Sequence, residues 1–408
     1  MTHQPIGIYA YPWDVLDEGS AAVLNAVERA GLNNLYLALW YHSGMFFLPH
    51  NPMRRVYFPT PGAMYFQPGS WHGEHALAPP VSDLCDDWTS LWRKLAAEAK
   101  QRDIRLSAWM PVLHNSGVGT AHPEISVENP WGDRISHTLC PSNESVTDLA
   151  AKVAGNVAEL GIFERILLES VEYLPLRHDH HHEVIGVPMS FDTEFLASLC
   201  FCDACRHRAA HAGIDTESVR RWARGTVDDA IGDGTREPMG WEEIESGADG
   251  QFGDFLRVRE EGVARASKRI VSSVRSKAPG IRVAALDFGP LYPLGANGRR
   301  WQNGVDLDAI LPLFDELHPT FYFSDLETMA EKISSYSALL GGEISLVPAI
   351  RAILPQTDSL ESLVAQVELV APIATGYTFY NYSFMQLGSL DWIKSAIRAR
   401  PPELKGDK

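Results

Sequence analysis

Apolar runs of strand length alternate with helix-length segments along most of this chain. The runs predict strands at residues 6–13, 34–41, 105–112, 165–169, 281–287, 317–323, 344–349 and 376–382. Helical patterns follow at 20–30, 87–102, 145–160, 192–212 with 253–277, 306–313, 326–340, 359–370 and 386–398. Eight strand–helix pairs predict an α/β fold, a (β/α)8 TIM barrel. A doubly wound sheet also alternates strands and helices, but a glycine-rich turn should follow its first strand, and this sequence has none there.

The segments between the predicted elements differ in length, and the longest follow strands two to four. Residues 43–81, 115–137 and 170–195 are predicted to be long βα-loops, and a helical insertion is expected at about 206–253. No linker or shift in composition divides the chain. We therefore expect residues 1–408 to form a single catalytic barrel with insertions.

Composition and charge limit the classes of partner. Apolar residues make up 45% of the chain, charged residues 21%, and the formal net charge is −17. Nucleic acid and anionic membranes both favour basic proteins, so this charge argues against either and leaves neutral substrates open. The sequence has neither an apolar run of the roughly 18 residues that a membrane span needs nor the pattern of a secretory leader. A cytoplasmic location is expected, where thiols stay reduced.

The carboxyl ends of the predicted strands should carry the chemistry, because the active sites of such barrels lie on the loops that follow them. These ends are rich in aromatic, acidic and histidine side chains. The candidates for substrate binding are Trp40, Tyr41, His42, Trp109, His114, Glu172, Tyr322, Asp325, Arg351 and Tyr380. Aromatic faces pack against the C–H faces of sugars and carboxylates bind hydroxyls, so the set indicates a neutral polyol ligand. The alternative is that some aromatics simply cap the barrel core.

Two carboxylates end predicted strands and are the candidates for catalysis. Glu169 ends the run Arg-Ile-Leu-Leu-Glu, and Asp287 ends Val-Ala-Ala-Leu-Asp. A carboxyl group beside an apolar wall has a raised pKa and can donate a proton near neutral pH. Glycosidic cleavage requires two carboxylates, a proton donor and a nucleophile or base. We predict Glu169 and Asp287 as this pair, with Glu172 as the competitor of Glu169. A salt bridge for Glu169 and a loop-capping or hydroxyl-binding role for Asp287 are the alternatives.

The cysteines indicate a metal site. Three of the five fall within six residues, at Cys200, Cys202 and Cys205. This density suits a tetrahedral thiolate site. Cys140 is the candidate for a fourth ligand, whereas Cys85 is expected to be a buried or free thiol. Four thiolates leave no open coordination position, so a zinc ion here would be structural. Packing cysteines without metal are the alternative.

The order of these motifs resembles glycoside hydrolase family 42, a family of β-galactosidase-type barrels. The resemblance covers residues 139–213, with a Leu-Cys-Pro-Ser-Asn segment, a strand that ends in glutamate and a Cys-x-Cys-x-x-Cys loop. The loop is also similar to that of hypothetical glycosyl hydrolase barrels. The resemblance implies Glu169 as general acid/base and Cys140, Cys200, Cys202 and Cys205 as structural zinc ligands. It also implies a homo-oligomer, because the family's barrels are often trimers.

The sequence departs from that family at two functional positions. Leu168 stands where the family has asparagine, and strand seven ends at Arg351 without the family's nucleophilic glutamate. β-Galactosidase activity is therefore not implied. The second carboxylate is expected elsewhere, with Asp287 first and Asp325 second. Barrels of the α-amylase and fucosidase kind place a catalytic carboxylate on strand four, so Glu169 could instead be the nucleophile.

The expected activity is that of a glycosidase, an O-glycosyl hydrolase that cleaves a short glycoside or oligosaccharide. One alternative is a metal-dependent sugar isomerase, epimerase or lyase, with a divalent ion held by His42, His114 and Asp287. The other is a non-catalytic carbohydrate-binding barrel, because the strand-seven glutamate is missing. The run His-Asp-His-His-His at 178–182 is a weak metal signal, since consecutive side chains do not all face one ion.

Overall fold

The computed structural model describes residues 4–177, 183–233, 239–291, 300–340 and 344–401. Its strands are β1 (Ile6–Ala10), β2 (Asn34–Ala38), β3 (Phe46–Phe47), β4 (Val56–Tyr57), β5 (Arg105–Pro111), β6 (Ser126–Glu128), β7 (Arg134–Leu139), β8 (Arg165–Glu169), β9 (Arg282–Asp287), β10 (Glu316–Pro319), β11 (Ser345–Leu346), β12 (Ala349–Arg351) and β13 (Tyr377–Tyr380). Its α-helices are α1 (Pro12–Glu18), α2 (Ser20–Arg29), α3 (Trp88–Gln101), α4 (Ser116–Ala121), α5 (Glu144–Glu159), α6 (Phe191–Ala197), α7 (Asp203–His211), α8 (Thr216–Asp233), α9 (Trp241–Ser246), α10 (Gln251–Lys277), α11 (Leu307–Ile310), α12 (Leu326–Leu340), α13 (Leu360–Val370) and α14 (Ser389–Ala399).

A parallel sheet closes into a barrel with eight strand positions around the ring, each of which is called a stave here. The strand order is β11-β10-β9-β8-β5-β2-β1-β13-β12, so the first and last strands of the chain are neighbours. β11 pairs with β10 and β12 pairs with β13, and the two short strands together make the seventh stave. Backbone bonds of 2.9 Å from Val347 to Leu317 and from Phe321 to Ala349 complete the ring. The predicted (β/α)8 fold class is confirmed.

The strands differ from the sequence prediction mainly at their ends. The run predicted as strand at 6–13 stops at Ala10, because Pro12 starts α1 at the helix position where proline fits best. The seventh stave is interrupted before Ala349 because Pro348 has no N–H to donate to a ladder. The helix predicted at 192–212 is two helices, α6 and α7, and the first two cysteines of the thiol motif lie in the break between them.

A buried ion-pair network fills the barrel at the amino ends of its strands. Arg165 at the start of β8 donates to both carboxylate oxygens of Glu316 at the start of β10, over 2.6 and 2.9 Å. Arg282 of β9 and His318 of β10 also contact Glu316, at 2.7 and 3.3 Å. Burial alone would raise the pKa of Glu316, but the contacts with His318 and Arg165 hold it well below its usual range. This end of the barrel is therefore a structural core, and the opposite end is free to hold a site.

Long βα segments rise at the carboxyl ends of β2, β5 and β8. The segment after β2 carries the β3–β4 hairpin, and the segment after β5 carries α4 and the antiparallel pair β6–β7. Helices α6 to α10 all lie between β8 and β9. None of the described helices is both long enough and apolar enough to span a bilayer.

Candidate active site

A cavity of about 1040 Å³ lies at the carboxyl ends of the barrel strands. All eight staves, or the loops that directly follow them, contribute to its lining. Predicted site residues in this lining are Tyr41, His42, Trp109, His114, Glu169, Tyr322, Arg351 and Tyr380. The volume and the mixture of aromatic, apolar and charged walls suit a small ligand of several ring units.

Glu169 is the last residue of β8, and its buried carboxyl group faces the cavity. Trp109 of β5 donates its indole N–H to Oε2 of this group. Burial raises the pKa of Glu169 from 4.5 to about 7; the bond from Trp109 opposes this rise, and the nearby Glu172 adds to it. Near neutral pH the group can therefore both hold and release a proton.

The turn after Glu169 fixes the direction in which the strand ends. Ser170 has a φ of 56°, a left-handed conformation that is strained for a residue other than glycine. The adjacent stave holds this turn, because Val112 donates its amide to the Glu169 carbonyl over 2.7 Å and Leu113 donates to the Ser170 carbonyl over 3.0 Å. The Glu169 side chain therefore projects from a backbone that the neighbouring strand constrains.

Aromatic rings surround the Glu169 carboxyl group. The Trp109 ring lies 5.1 Å from Tyr9, 5.4 Å from Tyr41 and 6.2 Å from Tyr380, measured between centroids, and Tyr322 lies 6.0 Å from Tyr380. Burial and neighbouring acidic groups raise the pKa values of Tyr9, Tyr41 and Tyr322 well above the usual range. Their hydroxyls therefore remain protonated and can donate hydrogen bonds to a ligand.

Two histidines form one wall of the cavity. His42 and His114 stack with ring centroids 3.7 Å apart, and Tyr41 stacks on His42 at 4.2 Å. This flat surface of stacked rings suits contact with a planar or ring-shaped ligand.

Four of the predicted catalytic and substrate-binding residues do not line the cavity. Trp40 is buried and donates its indole N–H to the Gly62 carbonyl over 2.9 Å, so its ring packs in the protein core. Asp325 is exposed and accepts from the Thr328 amide over 2.7 Å, which caps the start of α12. The other two, Glu172 and Asp287, border a separate void of about 20 Å³.

Asp287 ends β9 as expected, but its carboxylate is engaged away from the cavity. It accepts from the Arg300 guanidinium, the Tyr336 hydroxyl and the Gly289 amide, the last over 3.0 Å. Gly289 is required here because a Cβ at that position would collide with Arg300. Burial raises the pKa of the neighbouring Glu172 to about 7, and Asp287 adds to the rise. The structure therefore does not bring Glu169 and Asp287 into one cavity, which corrects the spatial arrangement expected of the pair.

Sequence reasoning missed a carboxylate that does line the cavity. Among the described residues that line the cavity, the two carboxylates are Glu169 and Asp358. Asp358 is exposed, lies in the loop between β12 and α13, and accepts from the Ser359 hydroxyl over 3.0 Å. It lies beyond the strand end, where the barrel rule alone gives no signal. The histidine run at 178–182, the weak metal signal of the sequence, lies outside the described residues.

The four predicted thiols converge at a second place, outside the cavity lining. The Sγ atoms of Cys205, Cys202 and Cys200 lie 3.5, 3.6 and 3.7 Å from that of Cys140, and all four lie within 4.8 Å of one another. A tetrahedral ion with Zn–S bonds of about 2.3 Å would separate the sulfurs by about 3.8 Å. The donor set and its geometry therefore fit a metal ion.

The surroundings of the thiols are suited to negative charge. The Tyr173 hydroxyl lies 3.4 Å from Sγ of Cys205 and is held by Ser142 at 2.9 Å. The guanidinium of Arg259, which is buried, lies 4.3 Å from the centroid of the Tyr173 ring. A positive charge beside the site would partly balance the thiolates of a four-cysteine centre.

The three residues considered as ligands for a divalent ion are not brought together. Among the described residues, the four cysteines form the one group of three or more histidine, cysteine or acidic side chains that lie close enough to share an ion. His42 and His114 stack on the cavity wall, while Asp287 is bound to Arg300 beyond it. The ligand set expected for an isomerase, epimerase or lyase is therefore absent from the described part of the chain.

No protein-family model matches this sequence, and no curated protein sequence does. The chain is similar in structure to the glycoside hydrolase domain of PgaB (BpsB) from Bordetella bronchiseptica, with a TM-score of 0.60 and 12% identity over 99% of this chain and 100% of that one. It is also similar to the catalytic domain of β-amylase from Paenibacillus polymyxa, with a TM-score of 0.57 and 12% identity over 98% and 99% of the two chains.

A family 42 β-galactosidase from G. stearothermophilus gives a TM-score of 0.58 and 10% identity over 98% of this chain. This chain spans only 57% of that protein's length. At such low identity these likenesses establish the fold alone. The chain shares its barrel fold with these three proteins.

Proposed function

We propose that this protein is a glycoside hydrolase that cleaves a short glycoside or oligosaccharide, with Glu169 as its proton donor. The observation that carries the proposal is a buried carboxyl group with a pKa of about 7 that faces the strand-end cavity of a hydrolase-type barrel. A general acid for glycoside cleavage needs this combination of position, access to a ligand and retained proton.

The walls of the cavity support a sugar as the ligand. Trp109, Tyr41 and Tyr380 offer ring faces for the C–H surfaces of a pyranose, and tyrosine hydroxyls nearby can donate to its oxygens. A volume of about 1040 Å³ favours a short chain of sugar units over a single one.

In the proposed reaction, Glu169 transfers its proton to the glycosidic oxygen as the bond to the anomeric carbon breaks. The Trp109 N–H, which already donates to Oε2, stabilises the carboxylate that remains. A second carboxylate must act as nucleophile or activate water. We propose Asp358 for this role because it shares the cavity lining, and we propose that Asp287 holds Arg300 and Tyr336 instead.

The test is a screen of nitrophenyl glycosides and natural disaccharides with the unaltered protein and with Glu169→Gln. The variant should lose about 10²- to 10⁴-fold in kcat, as expected for removal of a general acid, while ligand affinity stays within a few-fold. Asp358→Asn should also lower kcat. A natural disaccharide that Glu169→Gln cleaves at the original rate would remove Glu169 from the chemistry, because a sugar leaving group must be protonated whereas a nitrophenolate leaves without a proton.

A second candidate function is carbohydrate binding without turnover. The observation that favours it is the end of the seventh stave at Arg351, with no carboxylate at that position. In that case the screen finds ligands but no products, and Glu169→Gln leaves affinity unchanged.

We also propose that Cys140, Cys200, Cys202 and Cys205 hold a structural zinc ion. Zinc supplies a rigid tetrahedral link between the loops that carry these thiols and does no chemistry in the cavity. The purified protein should contain about one zinc per chain by elemental analysis, and Cys200→Ser should contain much less. Cys85→Ser is the matched control, since Cys85 lies apart from the cluster. A zinc content well below one in the unaltered protein contradicts the site.

A cytoplasmic location and a homo-oligomer remain further proposals, with an imported small glycoside as the substrate. Light scattering of the purified protein would measure the number of chains per particle.

A further inference from the structure

We propose that the substrate is a glycoside whose sugar carries an anionic substituent, and that Arg351 binds this group. This inference rests on the proposed function, because it names the substrate class of the same cavity. It also departs from the neutral ligand that the overall charge of the chain favours.

The charged side chains within the protein show what is unusual about Arg351. Arg165 is bound to Glu316 and Arg300 to Asp287, while Arg259 donates to two backbone carbonyls. Arg351 lines the cavity at the end of β12 and, among the described residues, forms no ion pair. Its Nε is buried and lacks a hydrogen-bond acceptor, as do the Nε atoms of Arg259 and Arg300, but Arg351 differs from both because it lines the cavity. A guanidinium left in this state is best satisfied by an anion that enters the cavity.

Arg351 and Glu169 both line the cavity and both act on Tyr322. The pKa of Tyr322 reflects both Glu169 and Arg351. Burial and Tyr380 raise this pKa, Glu169 raises it further, and Arg351 lowers it. The Arg351 guanidinium also lies 5.7 Å from the centroid of the Tyr380 ring, which holds it against the same wall. A glycoside whose anionic group meets Arg351 therefore occupies the same cavity as the Glu169 carboxyl group.

The chemistry of the guanidinium narrows the substituent. Its planar N–H donors match the two oxygens of a carboxylate or the oxygens of a phosphate. We favour the carboxylate of a uronic acid, because this planar group can pair with the planar guanidinium of Arg351 while the guanidinium lies over the Tyr380 ring. Repulsion within the cavity is limited, since Glu169 keeps much of its proton near pH 7 and Asp358 is exposed to solvent.

Arg177 is the other arginine in the described lining, and it serves as the comparison. It is exposed and already paired with Glu194. A bound anion should therefore depend on Arg351 far more than on Arg177.

The experiment is isothermal titration calorimetry of the full chain and of Arg351→Gln, Arg351→Lys and Arg177→Gln. The ligands are D-glucuronate and D-galacturonate, their neutral counterparts glucose and galactose, and glucose 6-phosphate. The unaltered protein should bind a uronate at least about tenfold more tightly than its neutral counterpart, and Arg351→Gln should weaken that binding about 10- to 100-fold. The affinity of Arg351→Gln for neutral sugars should differ from that of the unaltered protein by less than about threefold. Arg351→Lys should retain part of the affinity for uronates. Thermal unfolding checks that each variant is folded.

The outcomes separate this inference from the proposed function. Equal binding of uronates and neutral sugars, or a loss in Arg177→Gln that equals the loss in Arg351→Gln, overturns the inference. Preference for glucose 6-phosphate that depends on Arg351 supports an anionic substituent and identifies it as phosphate. Nitrophenyl glucuronides, galacturonides, glucosides and galactosides then test turnover. Cleavage of neutral glycosides alone overturns the inference and supports the hydrolase. Arg351-dependent uronate binding without any cleavage supports the inference and contradicts the hydrolase.

Discussion

The hydrogen bond from Trp109 to Glu169 allows the proposed proton donor to be tested through its pKa. Trp109→Phe keeps an aromatic ring on the cavity wall but removes the N–H that donates to Oε2 of Glu169. A donor to a carboxylate favours the ionised form, and here it opposes the effect of burial. The substitution should therefore raise the pKa of Glu169 above its present value of about 7.

The size of the effect follows from the strength of the lost bond. A hydrogen bond to a charged group contributes about 1.5–3 kcal/mol, and a change of one in pKa corresponds to about 1.4 kcal/mol. Complete loss would raise the pKa by about one to two. Water that enters the space left by the smaller ring would offset part of this, so we expect a rise of about one, to roughly pH 8.

The assay is the pH dependence of kcat/KM on the best substrate from the glycoside screen. Activity of the unaltered protein should fall as pH rises through about 7, because Glu169 loses the proton that it must donate. Trp109→Phe should lower the whole profile, since Trp109 also contacts the ligand, so the midpoint of the fall is the measurement. Trp392→Phe is the matched control: Trp392 lines the cavity too, and its substitution should leave the midpoint in place.

Two results would refute this reasoning. An alkaline midpoint that does not move in Trp109→Phe assigns the ionisation to another group. A midpoint that moves to lower pH means that the indole N–H does not stabilise the ionised carboxylate.

Three further predictions concern stability. Glu169→Gln should unfold at the same temperature as the unaltered protein at pH 4 and at a higher temperature at pH 9. The pKa of Glu169 is raised from 4.5 to about 7, so the unaltered protein loses about 3 kcal/mol of stability as pH rises from below 4.5 through 7, and the variant does not. An equal difference in unfolding temperature at both pH values contradicts this. Glu316→Gln leaves Arg165 buried without an anion and should cost about 3–5 kcal/mol in urea denaturation, whereas Glu28→Gln, in an exposed pair with Arg102, should cost less than about 1 kcal/mol. Asp287→Asn should lower stability by a similar 3–5 kcal/mol because Arg300 loses its partner, with less than about a tenfold change in kcat; a much larger loss of kcat at unchanged stability would return Asp287 to the catalytic pair.

The barrel could be predicted because its strands are short apolar runs between longer helical patterns. Strands such as β2 and β8 are buried at every position, which makes them visible without any alternation of polar residues. Eight of the twelve catalytic and substrate-binding candidates that the strand-end rule gave line the cavity. The rule worked because the staves of a closed barrel bring their carboxyl ends to one rim, however far apart they lie in sequence.

The residues that the rule misplaced depend on partners that sequence order does not reveal. Asp287 ends a strand as Glu169 does, but Arg300, 13 residues later, folds back and binds it. Trp40 and Tyr41 are adjacent, and only Tyr41 reaches the cavity, because neighbouring side chains at a strand end point in different directions. Asp358 was missed because a loop's path is set by packing rather than by periodicity.

The pairing of β1 with β13 has a consequence for how the protein is made. The Tyr9 hydroxyl lies 3.4 Å from the Thr378 hydroxyl although the two residues are 369 positions apart in sequence. Tyr9 and Tyr380, on these two strands, are both part of the cavity lining. A nascent chain that still lacks β13 would have an open sheet edge at β1 and a cavity without Tyr380, so ligand recognition can arise only after β13 has been synthesised.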